Sequence, residues 1–90
     1  MATLGQSVTR TPTALVGIVA GRYYSLQNVT AAANSCVYIS IQTAAPNTGT
    51  NAAFVLGRKE CAQAAAAAGE SIFIWQLNDC ISNIAYEQVE

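Results

Sequence analysis

The stretch Ser35–Thr43, which reads Ser-Cys-Val-Tyr-Ile-Ser-Ile-Gln-Thr, shows most plainly how the chain folds. Val37, Ile39 and Ile41 recur at every second position, and more polar side chains separate them. Successive side chains of a strand point to opposite faces, so this alternation predicts a strand with one face in a core and one on a wetter surface. β-branched residues and tyrosine suit such a half-buried, pleated surface.

A second stretch, Ser71–Leu77, reads Ser-Ile-Phe-Ile-Trp-Gln-Leu and is apolar on both faces. A short apolar run of this kind is typical of a strand that is buried on both sides. We therefore expect it to lie beside the first strand, at the centre of a sheet.

The remaining chain reads as shorter strands separated by turn signals. The predicted strands are Thr13–Ala20 with a bulge or close contact at Gly17, Arg22–Val29 with Tyr24 and Leu26 on one face, Ala52–Leu56, and Ile81–Val89 with Ile84 and Tyr86 inward and Asn83 and Glu87 outward. Residues 44–51, which are rich in Pro, Asn and Gly, form the longest predicted loop. Short strands at regular spacing predict an all-β fold, a small antiparallel β-sandwich or jelly-roll-like barrel.

Two segments allow more than one interpretation. Residues 1–12 show no sustained period, so they are predicted as an extended N-terminal arm or an edge segment, ahead of a single β-sandwich domain over residues 13–90. Such an arm reaches a neighbour in an assembly or hangs free. Residues 58–69 contain an alanine run with high helix propensity but no apolar stripe to hold a helix against a core. We predict an extended segment and loop there, with a short helix as the alternative.

The composition indicates a protein that functions in contact with other proteins. Apolar residues make up 52% of the chain and charged residues only 10%, whereas about 25% charged is typical of soluble domains. A surface of Ala, Ser, Thr, Asn and Gln suits contact with other copies or another subunit, the alternative being a monomer with an uncharged polar surface. The basic residues are scattered, which argues against nucleic acid. No apolar run is long enough to cross a membrane, and no signal peptide is evident, so we expect synthesis in the cytoplasm.

The residue types needed for most catalysis are missing. The chain has no histidine, so Ser–His and Cys–His nucleophilic catalysis are excluded. The five acidic residues leave a paired-carboxylate hydrolase as an alternative, but a sandwich of this size has little volume for a cleft. We therefore predict that the protein is not an enzyme and binds no cofactor or metal. Cys36, Cys61 and Cys80 are too widely spaced for a metal motif and are expected as free thiols, with one disulfide as the alternative.

Trp75 is the one residue that favours a binding site for a small ligand. Exposed on a concave face, it would form a platform for stacking sugars together with Tyr23, Tyr38 or Tyr86. A single tryptophan between apolar neighbours is more often part of a core or a subunit interface. The sequence allows both interpretations of Trp75.

An ordered set of short motifs resembles a known family. The segments are Tyr24-Ser25-Leu26-Gln27-Asn28, Val37-Tyr38-Ile39, Ala44-Ala45-Pro46, Phe54-Val55-Leu56-Gly57, Gly69-Glu70-Ser71-Ile72-Phe73-Ile74-Trp75 and Ile84-Ala85-Tyr86-Glu87. Together they resemble the small β-sandwich virion proteins of tailed bacteriophages, of the capsid decoration (cement) or head-fibre type. The alanine stretch departs from that pattern, because such proteins have a more conventional strand there.

The resemblance implies a virion structural protein that binds the major capsid protein or other virion subunits. It implies a capsid decoration protein, or alternatively a neck or tail subunit. The carbohydrate-binding module suggested by Trp75 is a separate alternative. The expected location is the virion, assembled in the host cytoplasm. The expected state is a homo-oligomer, a trimer on symmetry grounds. The residues expected at the interface are Pro12, Tyr23, Tyr38, Pro46, Asn47 and Asn51.

Overall fold

The computed structural model describes residues 4–30, 35–44, 54–77 and 82–89. Within these ranges the chain forms eight strands. They are β1 (Leu4–Val8), β2 (Thr13–Ala14), β3 (Tyr23–Asn28), β4 (Cys36–Gln42), β5 (Phe54–Gly57), β6 (Cys61–Ala65), β7 (Ser71–Trp75) and β8 (Ser82–Gln88). The all-β prediction is confirmed, and no helix occurs in the described ranges.

The strands form two four-stranded antiparallel sheets. Sheet A has the order β1-β8-β3-β6 and sheet B has the order β2-β7-β4-β5. The first half of the chain pairs with the second half in reverse order, β1 with β8, β2 with β7, β3 with β6 and β4 with β5. This is a long double-stranded hairpin that has been rolled into a sandwich, which is the arrangement of a jelly roll.

The core between the sheets comes from alternate residues of each strand. Leu26, Val37, Ile39, Ile72 and Ile84 have no solvent-exposed surface. The predicted inward faces of the strands that contain these residues are confirmed, because period-two alternation follows directly from strand geometry. The two stretches that the sequence marks most strongly do lie side by side, since β4 pairs with β7 from Tyr38–Trp75 to Gln42–Ser71.

The strand predicted over Thr13–Ala20 is wrong beyond its first residues. Only Thr13 and Ala14 belong to β2, and the chain then turns away from the sheet. Gly17 and Gly21 adopt left-handed φ angles of 82° and 83°, which residues with a Cβ rarely adopt. The glycine therefore marks a loop and not a bulge within a strand. We refer to residues 15–22 as the 15–22 loop.

The alanine stretch is extended, as predicted. Cys61–Ala65 forms β6, which pairs with β3 over its whole length and lies at the edge of sheet A. Ala64 and the following Ala66 are buried, so small side chains fill the space where the two sheets approach each other. Helix propensity is overridden here by pairing with a neighbouring strand.

The segment predicted as an arm or an edge segment contains β1. This strand pairs antiparallel with β8, with Leu4 opposite Tyr86 and Val8 opposite Ser82. It forms the other edge of sheet A. Val8 is buried in the core. Residues 1–3 lie outside the described ranges.

Candidate interaction surface

Exposed apolar side chains are concentrated at one end of the sandwich. Five of them lie there: Leu4 (39% exposed), Val16 (72%), Val19 (56%), Tyr23 (63%) and Val89 (40%). The strand register places them together, because Leu4 pairs with Tyr86 and the Val89 amide donates to the Tyr23 carbonyl at 2.9 Å. We call this surface the apolar end. Its large exposed apolar groups are candidates for burial against a partner.

The 15–22 loop is held at the apolar end by side chains from sheet A. The Tyr24 hydroxyl accepts a hydrogen bond from the Val19 amide at 2.8 Å, and the Tyr86 hydroxyl donates to the Val16 carbonyl. The Gln6 side chain accepts from the Val16 amide at 3.1 Å. These bonds fix the backbone while leaving the valine side chains in solvent, so the loop presents apolar groups from a defined conformation.

A shallow depression lies beside these residues. It has a volume of about 320 Å³ and is lined by Gly21, Arg22, Tyr23, Gln63 and Val89. It is open to solvent, and among its described lining residues the charged one is Arg22. Its shape and lining suit a protruding side chain of another protein better than an enclosed small molecule, because small-molecule sites bury most of their ligand.

Burial raises the pKa of the Tyr86 hydroxyl above its usual 10.0, and the nearby Tyr24 adds to the effect. Desolvation disfavours the charged phenolate. The Tyr86 hydroxyl therefore stays protonated, and remains a donor to the loop, over a wider pH range than a free tyrosine.

The opposite end of the sandwich is built differently, around a buried polar network. Asn28 donates to Ser35 Oγ at 3.1 Å and to the Leu56 carbonyl at 3.0 Å. Ser35 and Ser82 hydroxyls lie 2.9 Å apart, Ser82 donates to Gln76 Oε1 at 2.8 Å, and Gln76 donates to the Val8 carbonyl at 2.9 Å. Because Ser82 gives its proton to Gln76, it must accept from Ser35. This chain of bonds joins both sheets and satisfies its buried amides and hydroxyls, which is a structural role.

Trp75 is buried, but outside the core between the sheets. Ile72 and Ile74 of β7 face sheet A, so Trp75 and Phe73 lie on the outer face of sheet B. Trp75 has no exposed surface and stacks on Tyr38 with ring centroids 5.8 Å apart. Its indole Nε1 has no hydrogen-bond partner among the residues that the structure describes. A buried ring is not available for stacking sugars.

The three predicted interface residues that the structure describes do not form one patch. Tyr23 is exposed at the apolar end, whereas Tyr38 is half-buried on the outer face of sheet B, and Pro12 is half-buried between β1 and β2. Tyr23 and Tyr86 belong to sheet A, whereas the Tyr38–Trp75 stack belongs to sheet B. The three loop residues Pro46, Asn47 and Asn51 lie outside the described residues.

Sequence reasoning missed the valines of the apolar end. Val16 and Val19 were assigned to a strand because the run from Ala14 to Ala20 is apolar and β-branched. The signal that separates a loop from a strand here is the pair of glycines at positions 17 and 21, of which Gly17 directly follows Val16 and Gly21 lies two residues after Val19. Two glycines four residues apart in so short a run favour turns over a paired strand.

Acidic residues and thiols serve local structure where they are described. Glu60 accepts from the Gly57 amide and Glu70 accepts from the Ala67 amide at 3.0 Å, so each carboxylate closes its own turn. Cys36 and Cys61 are free thiols, and Cys80 lies outside the described ranges. Among the described residues, no three His, Cys, Asp or Glu side chains are grouped so that they could hold a metal ion. That part of the chain also contains no helix long and apolar enough to span a membrane.

Comparison with known proteins adds no family assignment. The chain matches no protein-family model, no curated protein and no solved structure. The resemblance to phage virion proteins therefore stays a prediction.

Proposed function

We propose that this chain is a non-enzymatic structural subunit of a virion, a decoration protein that stabilises the head of a tailed phage. The observation that carries the proposal is the apolar end, where Val16 and Val19 are exposed on a loop that is fastened to the sandwich by hydrogen bonds. A contiguous patch of exposed apolar groups on a small domain marks a site of contact with another protein. The motif resemblance supports the virion as the place where this interface is used.

The fold is compatible with this role. Jelly-roll sandwiches occur in viral capsid proteins, and they also occur in lectins. A fold alone does not define a function, so the proposal is based on the exposed residues of the apolar end. Trp75 is buried, which removes the aromatic platform on which the carbohydrate-binding alternative depended.

A decoration protein acts by adding buried surface between shell subunits. A standard interface buries about 800 Å² on each partner, which is roughly a sixth of the 4962 Å² surface of this chain. Burying one exposed valine contributes about 1.5 kcal/mol. Many copies on one shell multiply such a gain, so modest individual affinity is sufficient. The same surface would serve a subunit of the neck or tail.

The proposal is tested with capsid shells assembled from the major capsid protein of the same genome. We expect the purified chain to sediment with shells that lack it. The double variant Val16→Ser/Val19→Ser should bind at least about tenfold more weakly, because two apolar anchors are lost. The control is Val29→Ser, an exposed valine at the opposite end of β3, and it should bind like the wild type.

Two results would overturn the proposal. One is a wild-type chain that binds neither these shells nor purified neck and tail assemblies. The other is a rise in melting temperature with simple sugars in the absence of shell binding, which would favour the carbohydrate-binding module.

A further inference from the structure

The two sheets differ in how their edges are protected. One edge of sheet B, β2, has only two residues, and Gln6 from sheet A donates to its outward Ala14 carbonyl at 3.1 Å. Glu60 also accepts from the Gly57 amide on β5. Strand edges attract other strands unless they are blocked. By the alternation of an antiparallel sheet, this capping leaves Val55 as the uncapped outward residue of β5, so sheet B offers less edge for further pairing than β6 does.

The hydrogen-bond pattern shows which groups of β6 face outward. The Asn28 amide donates to the Glu60 carbonyl at 3.1 Å, and the Gly21 amide donates to the Ala66 carbonyl at 2.8 Å. Residues of an antiparallel strand alternate between bonding to one neighbour and to the other. The even-numbered residues of β6 therefore bond to β3, and the backbone groups of Cys61, Gln63 and Ala65 point away from the sheet.

Nothing in the described part of the chain pairs with that side of β6. The strand reads Cys-Ala-Gln-Ala-Ala, without a charge or a proline, and its pairing with β3 continues without interruption from Gln27–Cys61 to Tyr23–Ala65. Charges, prolines and bulges are the devices that natural proteins use to block an edge. The other edge of sheet A, β1, directs only Gly5 and Ser7 outward by the same alternation.

We propose that β6 binds β6 of a second copy of this chain, antiparallel, around a twofold axis at Gln63. In this register Gln63 faces Gln63 of the second copy and Cys61 faces Ala65 of the second copy. The three outward residues of each strand then form roughly six backbone hydrogen bonds. The two four-stranded A sheets become one continuous sheet, and the outer faces of both copies stay on the same side.

A second copy is the occupant because the strand is complementary to itself. The register brings no charge opposite another charge, and small side chains flank Gln63 on both sides. Two glutamine side chains facing each other also hydrogen-bond across the axis. A twofold axis makes such a contact closed, so that pairing stops at a dimer instead of extending into a fibre. The dimer replaces the trimer expected on symmetry grounds, and it does not depend on the proposed virion role.

Sedimentation velocity over a concentration series tests the contact. The wild-type chain should show a concentration-dependent monomer–dimer equilibrium. Gln63→Pro removes an outward N–H and leaves the bonds to β3 intact, so it should weaken dimerisation by about tenfold or more while the circular dichroism spectrum is unchanged. Gln63→Val, which keeps the N–H, is the matched control and should still form dimers.

A charge exchange tests the axis itself. Gln63→Lys and Gln63→Glu each place like charges opposite each other at the twofold, so each alone should be monomeric at low salt. A mixture of the two should form a heterodimer, and 1 M salt should weaken that heterodimer. A wild-type chain that stays monomeric at millimolar concentration, a stable trimer, or a dimer that Gln63→Pro and the charge variants leave unchanged would each overturn the proposal.

Discussion

Tyr24 and Tyr86 hold one loop with hydroxyls that play opposite roles in hydrogen bonding. Tyr86 lies opposite Leu26, so the two tyrosines are diagonal neighbours on the inner face of sheet A. The Tyr24 hydroxyl accepts from the Val19 amide at 2.8 Å, whereas the Tyr86 hydroxyl donates to the Val16 carbonyl. The apolar end thus depends on two phenol groups anchored in the core.

Replacing Tyr86 by phenylalanine should loosen the apolar end. Tyr86→Phe removes the bond to the Val16 carbonyl and should lower the free energy of unfolding by about 1 kcal/mol, the usual net contribution of such a bond. Urea unfolding measures the change. Tyr23→Phe is the control, because the Tyr23 ring is mostly exposed, and it should alter stability by less than about 0.5 kcal/mol. Equal effects of both changes would contradict the anchoring role.

The raised pKa of Tyr86 predicts a loss of stability in alkali. The folded state holds the Tyr86 proton more tightly than the unfolded state, where the pKa is 10.0. Its contribution is therefore complete below pH 10 and is lost as the pH rises from there through the folded pKa. Urea unfolding of wild type and Tyr86→Phe from pH 8 upward should show a steeper decline for the wild type. Parallel curves would show that Tyr86 does not contribute.

Breaking the buried polar network around Asn28 should lower the free energy of unfolding more than removing the Tyr86 hydroxyl does. Asn28→Ala leaves the Leu56 carbonyl and the Thr30 amide without their partner. Unsatisfied buried groups cost about 1–3 kcal/mol, so we expect a loss of about 2–3 kcal/mol in urea unfolding. Gln27→Ala is the matched neighbour, since its side chain makes one exposed contact to the Lys59 carbonyl at 3.3 Å. A loss no larger than that of the control would argue against a cooperative network.

Trp75 reports directly on the outer face of sheet B. Its ring has no exposed surface and its N–H has no described hydrogen-bond partner. The indole fluorescence should therefore be blue-shifted relative to free tryptophan and should resist quenching by iodide. Added sugars should leave the spectrum unchanged. A red-shifted emission that iodide quenches would show that the outer face of sheet B is open in solution.

The turn between β5 and β6 contains a residue in an unfavourable conformation. Lys59 has a φ of 66°, a left-handed geometry that costs side chains with a Cβ about 1–2 kcal/mol. Lys59→Gly relieves this cost but adds backbone entropy to the unfolded state, so stability should rise by about 0.5–1 kcal/mol. Arg58→Gly, one residue earlier and without positive φ, should lower stability or leave it unchanged. Thermal unfolding distinguishes the two.

Local patterns were sufficient for most strands. Ile39 and Leu26 face the core because alternation within a strand requires only the residues next to them. The same reasoning misjudged Val16 and Val19, since β-branched residues in sequence look like a strand whether or not another strand is available to pair with them. The conformation of the 15–22 loop is fixed by hydrogen bonds to Tyr24 and Tyr86, which come from other parts of the chain.

The candidate surface was predicted only in part. Tyr23 was expected at an interface and is exposed beside Val89. Tyr38 was expected there too, but it is half-buried and stacks on Trp75 on the other sheet. Which tyrosine faces solvent depends on what lies above each sheet, and that information is absent from a period-two pattern.

The sequence by itself determined that this protein is built from strands and which side of most strands is apolar, because both follow from the order of neighbouring side chains. Only the tertiary structure decided how the strands pair, which edges stay open and where the exposed valines gather. The pairing of Leu4 with Tyr86 joins the two ends of the chain, and no local pattern encodes a contact between residues so far apart. The physical reason is that the burial of a side chain and the pairing of a strand depend on residues from distant parts of the chain, which come together only in the folded sandwich.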